Sequence, residues 1–199
     1  MKVSRAQAEE NRRTVVDAAG RLFRKHGFDG IGLSDLMKAA GLTHGGFYKQ
    51  FKSKDDLVVE ACDSALARSA EKWAHVVESA GDDPFARLVS QYLSRGHRDG
   101  IDEGCAFAAL GSDAARHNKA LLGSFEAGIQ SHLEILDRAM KASRSRGARN
   151  DSAVALSTMV GALLLSRVVE DEALSRRILD GAISSLVKRR RAPRRKPAR

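Results

Sequence analysis

Ser34-Asp-Leu-Met-Lys-Ala-Ala-Gly-Leu-Thr-His-Gly-Gly-Phe-Tyr-Lys-Gln-Phe-Lys-Ser-Lys-Asp-Asp-Leu57 holds, in one short stretch, three helix starts and the turn between the first two helices. Ser34 precedes an apolar run and predicts a short helix over about 35–40, which Gly41 ends because glycine takes the left-handed conformation a helix stop needs. Thr43 predicts the cap of a second helix, about 44–50, with Leu36, Ala40, Leu42 and Phe47 on the inward face. Ser53, followed by Asp55 and Asp56, marks a third start: a cap oxygen and first-turn carboxylates satisfy the amide groups left open there. Helix, glycine turn, short helix is the arrangement that lays one exposed helix in the DNA major groove.

Outward from this stretch the pattern stays helical. Val15, Ala18, Ala19, Leu22 and Phe23 follow the i, i+3, i+4, i+7, i+8 template and predict a helix over about 5–26, stopped by Gly27. Beyond Ser53 a long helix over about 54–79 ends at Gly81 and the Asp82-Asp83-Pro84 breaker. Further helices are predicted over about 84–97, over about 105–117, and along Leu122, Phe125, Ile129, Leu133, Leu136 and Met140. The Arg- and Ser-rich stretch 143–150 reads as a loop, and the last two helices cover about 151–169 and 172–188. No segment alternates as a strand would, so the chain is predicted to be all-α with about nine helices. The expected division is a three-helix DNA-binding domain over 1–53, a helical effector-binding and dimerisation domain over 54–188, and a basic tail over 189–199.

Charge is unevenly spread over the 199 residues, whose net is +9. Residues 1–54 hold eleven Lys and Arg against five acids, residues 188–199 hold eight and no acid, and residues 55–187 hold fifteen against twenty. A basic head, an acidic body and a basic tail favour a polyanion at the two ends, with nucleic acid first among partners. The tail, with Pro193 and Pro197, is expected to be disordered when free; added phosphate contacts, acidic lipid and a merely solvated end all remain open for it. The apolar run Met159 to Leu165 is far short of the roughly 20 residues that span a bilayer, so no membrane partner is expected. The start, Met1-Lys2-Val3-Ser4-Arg5, lacks the apolar run of a secretory signal. Only Cys62 and Cys105 are present, too few for a disulfide framework. A cytoplasmic, nucleoid-associated protein is the expectation.

The quoted stretch closely resembles the signature of the TetR/AcrR family of bacterial transcriptional regulators. The residues that carry the likeness are Ala40-Gly41-Leu42-Thr43, then Phe47, Tyr48, Phe51 and Ser53-Lys54; it is strongest over about 12–60. Met37, where a small alanine is frequent, and Gln50, where a histidine is frequent, depart from it. Elementary chemistry gives several DNA-facing roles directly. Thr43 and the open amides at the helix start suit a phosphate oxygen, and Ser34 begins the preceding helix. His44 and Lys49 suit base edges or phosphates. Gly45 and Gly46, costing about 1 kcal/mol each in a helix, permit close approach to the duplex; the alternative is that they serve only the turn. The resemblance adds Tyr48 and Lys54 as phosphate contacts.

One short recognition helix reads few base pairs, which implies a homodimer on a palindromic operator. Leu156, Val160, Gly161, Leu164, Leu179, Ala182, Ile183 and Leu186 are the expected interface; the rival reading is that these stripes face their own core. The resemblance also implies a cavity for a small-molecule effector, expected near Trp73, Phe85, Tyr92, Cys105, Phe107, Phe125, His132 and Met159. It further implies release of DNA when effector binding moves the long helix after Ser53. Cys105 follows Gly104 at a predicted helix start, where the dipole favours thiolate, so an electrophile or oxidant is a second kind of effector.

An enzyme is the rival from another class, but no Gly-x-Ser-x-Gly, Walker, dinucleotide or His-Glu-x-x-His pattern occurs. The histidines at 26, 44, 75, 97, 117 and 132 show no strong metal-ligand spacing, so no metal and no cofactor is expected. A non-specific nucleoid-binding protein is the other rival, for which the basic ends alone suffice.

Overall fold

Caps and glycines set most helix boundaries. Ser4 Oγ accepts the Gln7 amide at 3.1 Å, Ser53 Oγ that of Asp56 at 3.0 Å, Asp83 that of Ala86 at 3.1 Å and Asn118 that of Leu121 at 2.9 Å. Each such cap stabilises its helix by about 1 kcal/mol. The computed structural model describes residues 4–143 and 151–187, with the His44 side chain outside that description. The predicted 144–150 part of the loop and the basic tail lie outside the described residues.

Ten helices and no strand occur among the described residues: α1 (Arg5–His26), α2 (Leu33–Ala39), α3 (His44–Phe47), α4 (Lys54–Ser79), α5 (Pro84–Tyr92), α6 (Arg95–Asp99), α7 (Ala106–Ala114), α8 (Lys119–Ala142), α9 (Ser152–Arg167) and α10 (Glu172–Leu186). The tenth arises because the helix expected over 84–97 breaks at Leu93. Ser94 Oγ caps a new short helix by accepting the His97 amide at 3.2 Å. No helix among the described residues is long and apolar enough to cross a membrane.

Two boundaries in the quoted stretch differ from expectation. Gly32, extended at φ −81° and ψ 157°, caps α2 in place of Ser34, which falls in the first turn. The third helix closes after Phe47, with 48–50 in turns, since adjacent glycines weaken propagation. Between the two, Gly41 sits at φ 70° and donates to Lys38 O at 3.0 Å, while Leu42 donates to Met37 O at 2.9 Å. These paired bonds form the glycine-bearing helix stop that only a residue free of Cβ adopts cheaply. Met37 is fully buried, and its Cε would lie 3.8 Å from a Cβ at Gly46, so its length occupies space under a glycine.

Burial divides into two clusters. The first gathers Val15, Phe23, Leu36, Met37, Phe47, Phe51 and Leu57, and is completed by Leu110 of α7 and Leu121 and Phe125 of α8. The second gathers Trp73, Leu88, Tyr92, Leu136, Met159, Leu163 and Leu179. The long helix α4 contributes to both and packs closely on α8. At Gly128 a Cβ would come 2.9 Å from Leu66 Cδ1, so a larger residue there must push the Leu66 side chain aside.

Candidate functional site

The α2–α3 pair offers an exposed edge anchored by a buried aromatic base. Phe47 and Phe51 stack at 5.3 Å and are fully and almost fully buried, while Tyr48 packs edge-on against Phe47 and is 65% exposed. Arg12 of α1 clamps this base: its guanidinium lies 4.3 Å from the Phe51 ring centroid, pairs with Glu60 of α4 and donates to the Gln50 carbonyl. Side chains on the outer surface are therefore held from beneath by both long helices.

The residues expected at DNA occupy that surface, with qualifications. Thr43, Gly45, Tyr48 and Lys49 are exposed on one side, and Ser34 is exposed in the first turn of α2. Thr43 makes no side-chain cap bond, so its hydroxyl does not consume the amides that open α3. His44 opens α3, its side chain lying outside the described part. Lys54 is half-buried and donates to Ile31 O at 2.9 Å, tying the α1–α2 connection to α4; an ammonium has three donors, and two remain. Gln50 is half-buried and does not join the exposed edge. Neither Gly45 nor Gly46 has the positive φ of Gly27, Gly41 and Gly81. A Cβ at Gly45 would meet nothing within 4 Å, and one at Gly46 would meet Thr43 Oγ1 at 3.7 Å and Met37 Cε at 3.8 Å, ordinary contacts. Turn geometry and internal packing thus give no reason for this glycine pair.

A second feature is a cavity of about 320 Å³ between α1, α4, α5, α6 and the segment before α7. Trp73, Tyr92 and Cys105 line it, as expected. Phe85, Phe107, Phe125, His132 and Met159 do not. His132 stands behind the wall, 4.6 Å from the Trp73 ring and 5.1 Å from Phe107. Its Nδ1 bonds Gly128 O at 2.7 Å and its Nε2 meets Ser69 Oγ at 3.0 Å. Burial pushes its pKa down, so the imidazole is neutral, with Nδ1 donating and the Ser69 hydroxyl donating to Nε2. Phe85 and Met159 belong to the second cluster and Phe125 to the first, where helical apolar stripes ordinarily go.

The polar lining was not anticipated. Arg24, Arg68, Ser69, Lys72, His97 and Glu103 face the space. The signal was available on α4, where Ala65, Arg68, Ser69, Lys72, Trp73 and Val76 follow the same i, i+3, i+4, i+7, i+8, i+11 template as a core stripe, yet half are polar. His97 donates from Nδ1 to Tyr92 O at 2.6 Å and accepts the Cys105 amide on Nε2 at 3.0 Å, and burial lowers its pKa. The thiol of Cys105 therefore has no free imidazole as a base. Amides of Phe107 and Ala108 at the start of α7 favour its thiolate, as the sequence suggested, but burial outweighs them and raises its pKa. Cys62, also buried, is pushed up to about 12.

On α9 and α10 the expected interface residues separate. Leu156, Leu179 and Leu186 are buried in the chain's own second cluster, because the inward side of each stripe is already used. Val160, Gly161, Ala182 and Ile183 are half-buried, and Leu164 is exposed. Val154, Leu165 and Val168, at 57%, 55% and 69% exposure, complete an outward apolar face of α9 with Gly161. These three were not anticipated.

Among the described residues no cluster of three or more His, Cys, Asp or Glu is placed to hold a metal ion. Residues 15–61 match the family model of bacterial regulatory proteins, tetR family. The chain is similar to the HTH-type transcriptional regulator YerO of Bacillus subtilis, 26% identical over 98 residues that make up 46% of this chain and 34% of that protein. It is similar to AcrR of Shigella flexneri, 40% identical over 57 residues, 29% of this chain and 26% of AcrR. The chain thus spans about a third or less of these curated relatives. The crystal structure of reduced Escherichia coli NemR superposes with a TM-score of 0.75 at 20% identity, covering 89% of this chain and 95% of that one. At such identity the likeness is one of fold.

Proposed function

We propose that the chain, whose residues 15–61 match the family model of bacterial regulatory proteins, tetR family, is a TetR/AcrR-type regulator: a homodimeric repressor of a palindromic operator, released by a small molecule in the cavity beside Trp73. In this reading residues 1–53 read DNA, 54–188 sense and dimerise, and the 189–199 tail adds charge. One observation carries the DNA step. Gly45 and Gly46 weaken α3 at about 1 kcal/mol each, and neither a positive φ nor a crowded Cβ requires them. A surface that must lie against another molecule accounts for them. Thr43, Tyr48 and Lys49 around the pair supply phosphate and base-edge partners.

The outward apolar face of α9, with Gly161 at its middle, supports a second copy as the partner there, and a palindromic operator requires the pair to hold its two recognition helices about 34–36 Å apart. Effector control needs a ligand that prefers the DNA-incompetent arrangement, by whatever free energy separates the two. An electrophile acting on Cys105 fits less well than a reversible ligand, because burial holds the thiol protonated.

The test is enrichment of duplexes from a random pool by the full chain, at fixed salt, followed by footprinting. An inverted repeat with half-sites one helical turn apart is expected. A pool that stays random, bound with the steep salt dependence of phosphate contacts alone, overturns the reading in favour of non-specific binding.

A further inference from the structure

The cavity carries three cations and one carboxylate in its lining. Arg24 is buried, donates from Nε to Asp102 O at 2.6 Å and has Glu103 as its neighbouring acid, which itself lies 3.6 Å from Arg21. Arg68 is paired with Asp17 of α1. Lys72 makes no hydrogen bond or ion pair with any described residue, although it lies in a space with two guanidinium groups. Behind the Gly104–Cys105 wall, Arg167 donates to the carbonyls of His97 and Arg98, and its Nη1 is buried without a partner. The remaining wall is apolar: Trp73 and Tyr92 meet edge to face at 5.4 Å, with Leu88 and Val76 beside them. The Tyr92 hydroxyl, on a side chain 5% exposed, is buried beside the weakly bonding Cys105 thiol without an oxygen or nitrogen partner.

Lys72 is exposed, so beside two guanidinium groups its charge is balanced by solvent alone, and the buried Tyr92 hydroxyl has only a thiol for a partner. A single bound group of negative charge, with its own acceptor, relieves both. At about 320 Å³ the space stands at the small end of ligand cavities, enough for one ring and a short side chain. We propose that this cavity takes a small monoanion with a planar apolar body, its carboxylate among Lys72, Arg68 and Arg24 and its ring against Trp73 and Tyr92. His97, with both ring nitrogens engaged and its pKa lowered by burial, adds neither charge nor a free donor, so the anion is held by Lys72 and the two guanidinium groups.

The link to DNA rests on the regulator reading above. Two of the charges involved, Arg24 and Asp17, stand on α1, the helix that backs the DNA-facing pair. A carboxylate at Arg68 competes with Asp17 for that guanidinium and draws Arg24, so ligand charge acts directly on the α1–α4 junction.

Trp73 is the single tryptophan of the chain, so its emission reports occupancy of the cavity. Phenylacetate, phenylacetamide and phenethylamine share one shape and carry negative, zero and positive charge. In titrations of the full chain, phenylacetate is expected to quench Trp73 with about tenfold higher affinity than the amide, the difference made by one charge-assisted contact. The amine is expected to bind weakest. Lys72→Glu, at an exposed position, is expected to abolish the order, and Lys72→Arg to keep it. Equal affinities, a preference for the amine, no quenching by phenylacetate at about 10 mM, or an unchanged order in Lys72→Glu would each overturn the proposal. The two readings fail separately. Phenylacetate that binds without displacing an enriched duplex leaves the anion site standing and removes its regulatory role. Displacement driven by the amine does the reverse.

Discussion

Replacing Gly45 by Ala separates folding from DNA contact. A Cβ at this position meets no heavy atom within 4 Å, and the backbone is not in the positive-φ region, so the methyl group adds no strain to the free chain. Alanine in place of a helical glycine gains about 0.5–1 kcal/mol by restricting the unfolded chain and favouring helix. For a chain of this size that is a rise of roughly 1–4 °C in Tm. If the α3 surface lies against the duplex, the same methyl group holds it off and weakens thymine-methyl and phosphate contacts in both protomers. Operator affinity is then expected to fall at least about tenfold, equivalent to about 1.4 kcal/mol. Thermal melting by circular dichroism gives the first quantity, and fluorescence-anisotropy titration of an enriched duplex at constant salt gives the second. A variant that is more stable and binds the duplex as tightly as the parent refutes the reasoning, for the glycine would then serve neither the fold nor the contact. Gly46→Ala is the companion, since its Cβ would make ordinary contacts with Thr43 and Met37.

Three further outcomes are expected. His97 and His132 are neutral and held below the usual histidine range by burial, so the unfolded chain binds more protons than the folded one as pH falls below about 6.5. Stability is therefore complete above that pH and declines beneath it, by up to about 1.4 kcal/mol per pH unit for each histidine; urea midpoints that stay level from pH 7.5 to 5 contradict this. Gly128→Ala drives a methyl group into Leu66, with 2.9 Å available, and is expected to lower stability by about 1–3 kcal/mol in urea melts; an unchanged midpoint shows that α4 and α8 adjust freely. Leu165→Asp, on the outward face of α9, is expected to leave the helical spectrum intact while sedimentation shows single chains; a dimer that persists places the interface elsewhere.

Local chemistry made much of the fold legible. Ser53, Gly41, Gly27 and Pro84 each mark a boundary through a bond or a dihedral preference that acts within a few residues, and the structure has helix ends at all four. Where two local preferences compete, reading fails: Ser34 is a fair cap by type, yet Gly32 holds the extended conformation two residues earlier. Leu93 looks like one more rung of an apolar stripe, but the Ser94 cap and Gly96 end α5 there. The exposed edge of α2 and α3 could be located because a helix-turn-helix fixes which residues point outward. The cavity could not, because apolar periodicity marks only that a side chain is covered, and Met159 covered by protein reads the same as Trp73 facing a space. The informative residues were Arg68, Ser69 and Lys72, polar members of a stripe that otherwise reads as core. On α9, periodicity likewise does not say which apolar side turns inward, so Leu156 and Val154 could be sorted only by packing.

The first hydrophobic cluster closes over the α2–α3 pair with Leu110, Leu121 and Phe125, side chains supplied from far along the chain. The N-terminal helices are consequently not a detachable cassette. A hybrid that joins residues 1–54 to a foreign body would leave Phe23 and Phe28 without their lids, so any transplant of operator specificity must carry matching α7 and α8 surfaces or confine itself to the few exposed positions between Thr43 and Lys49.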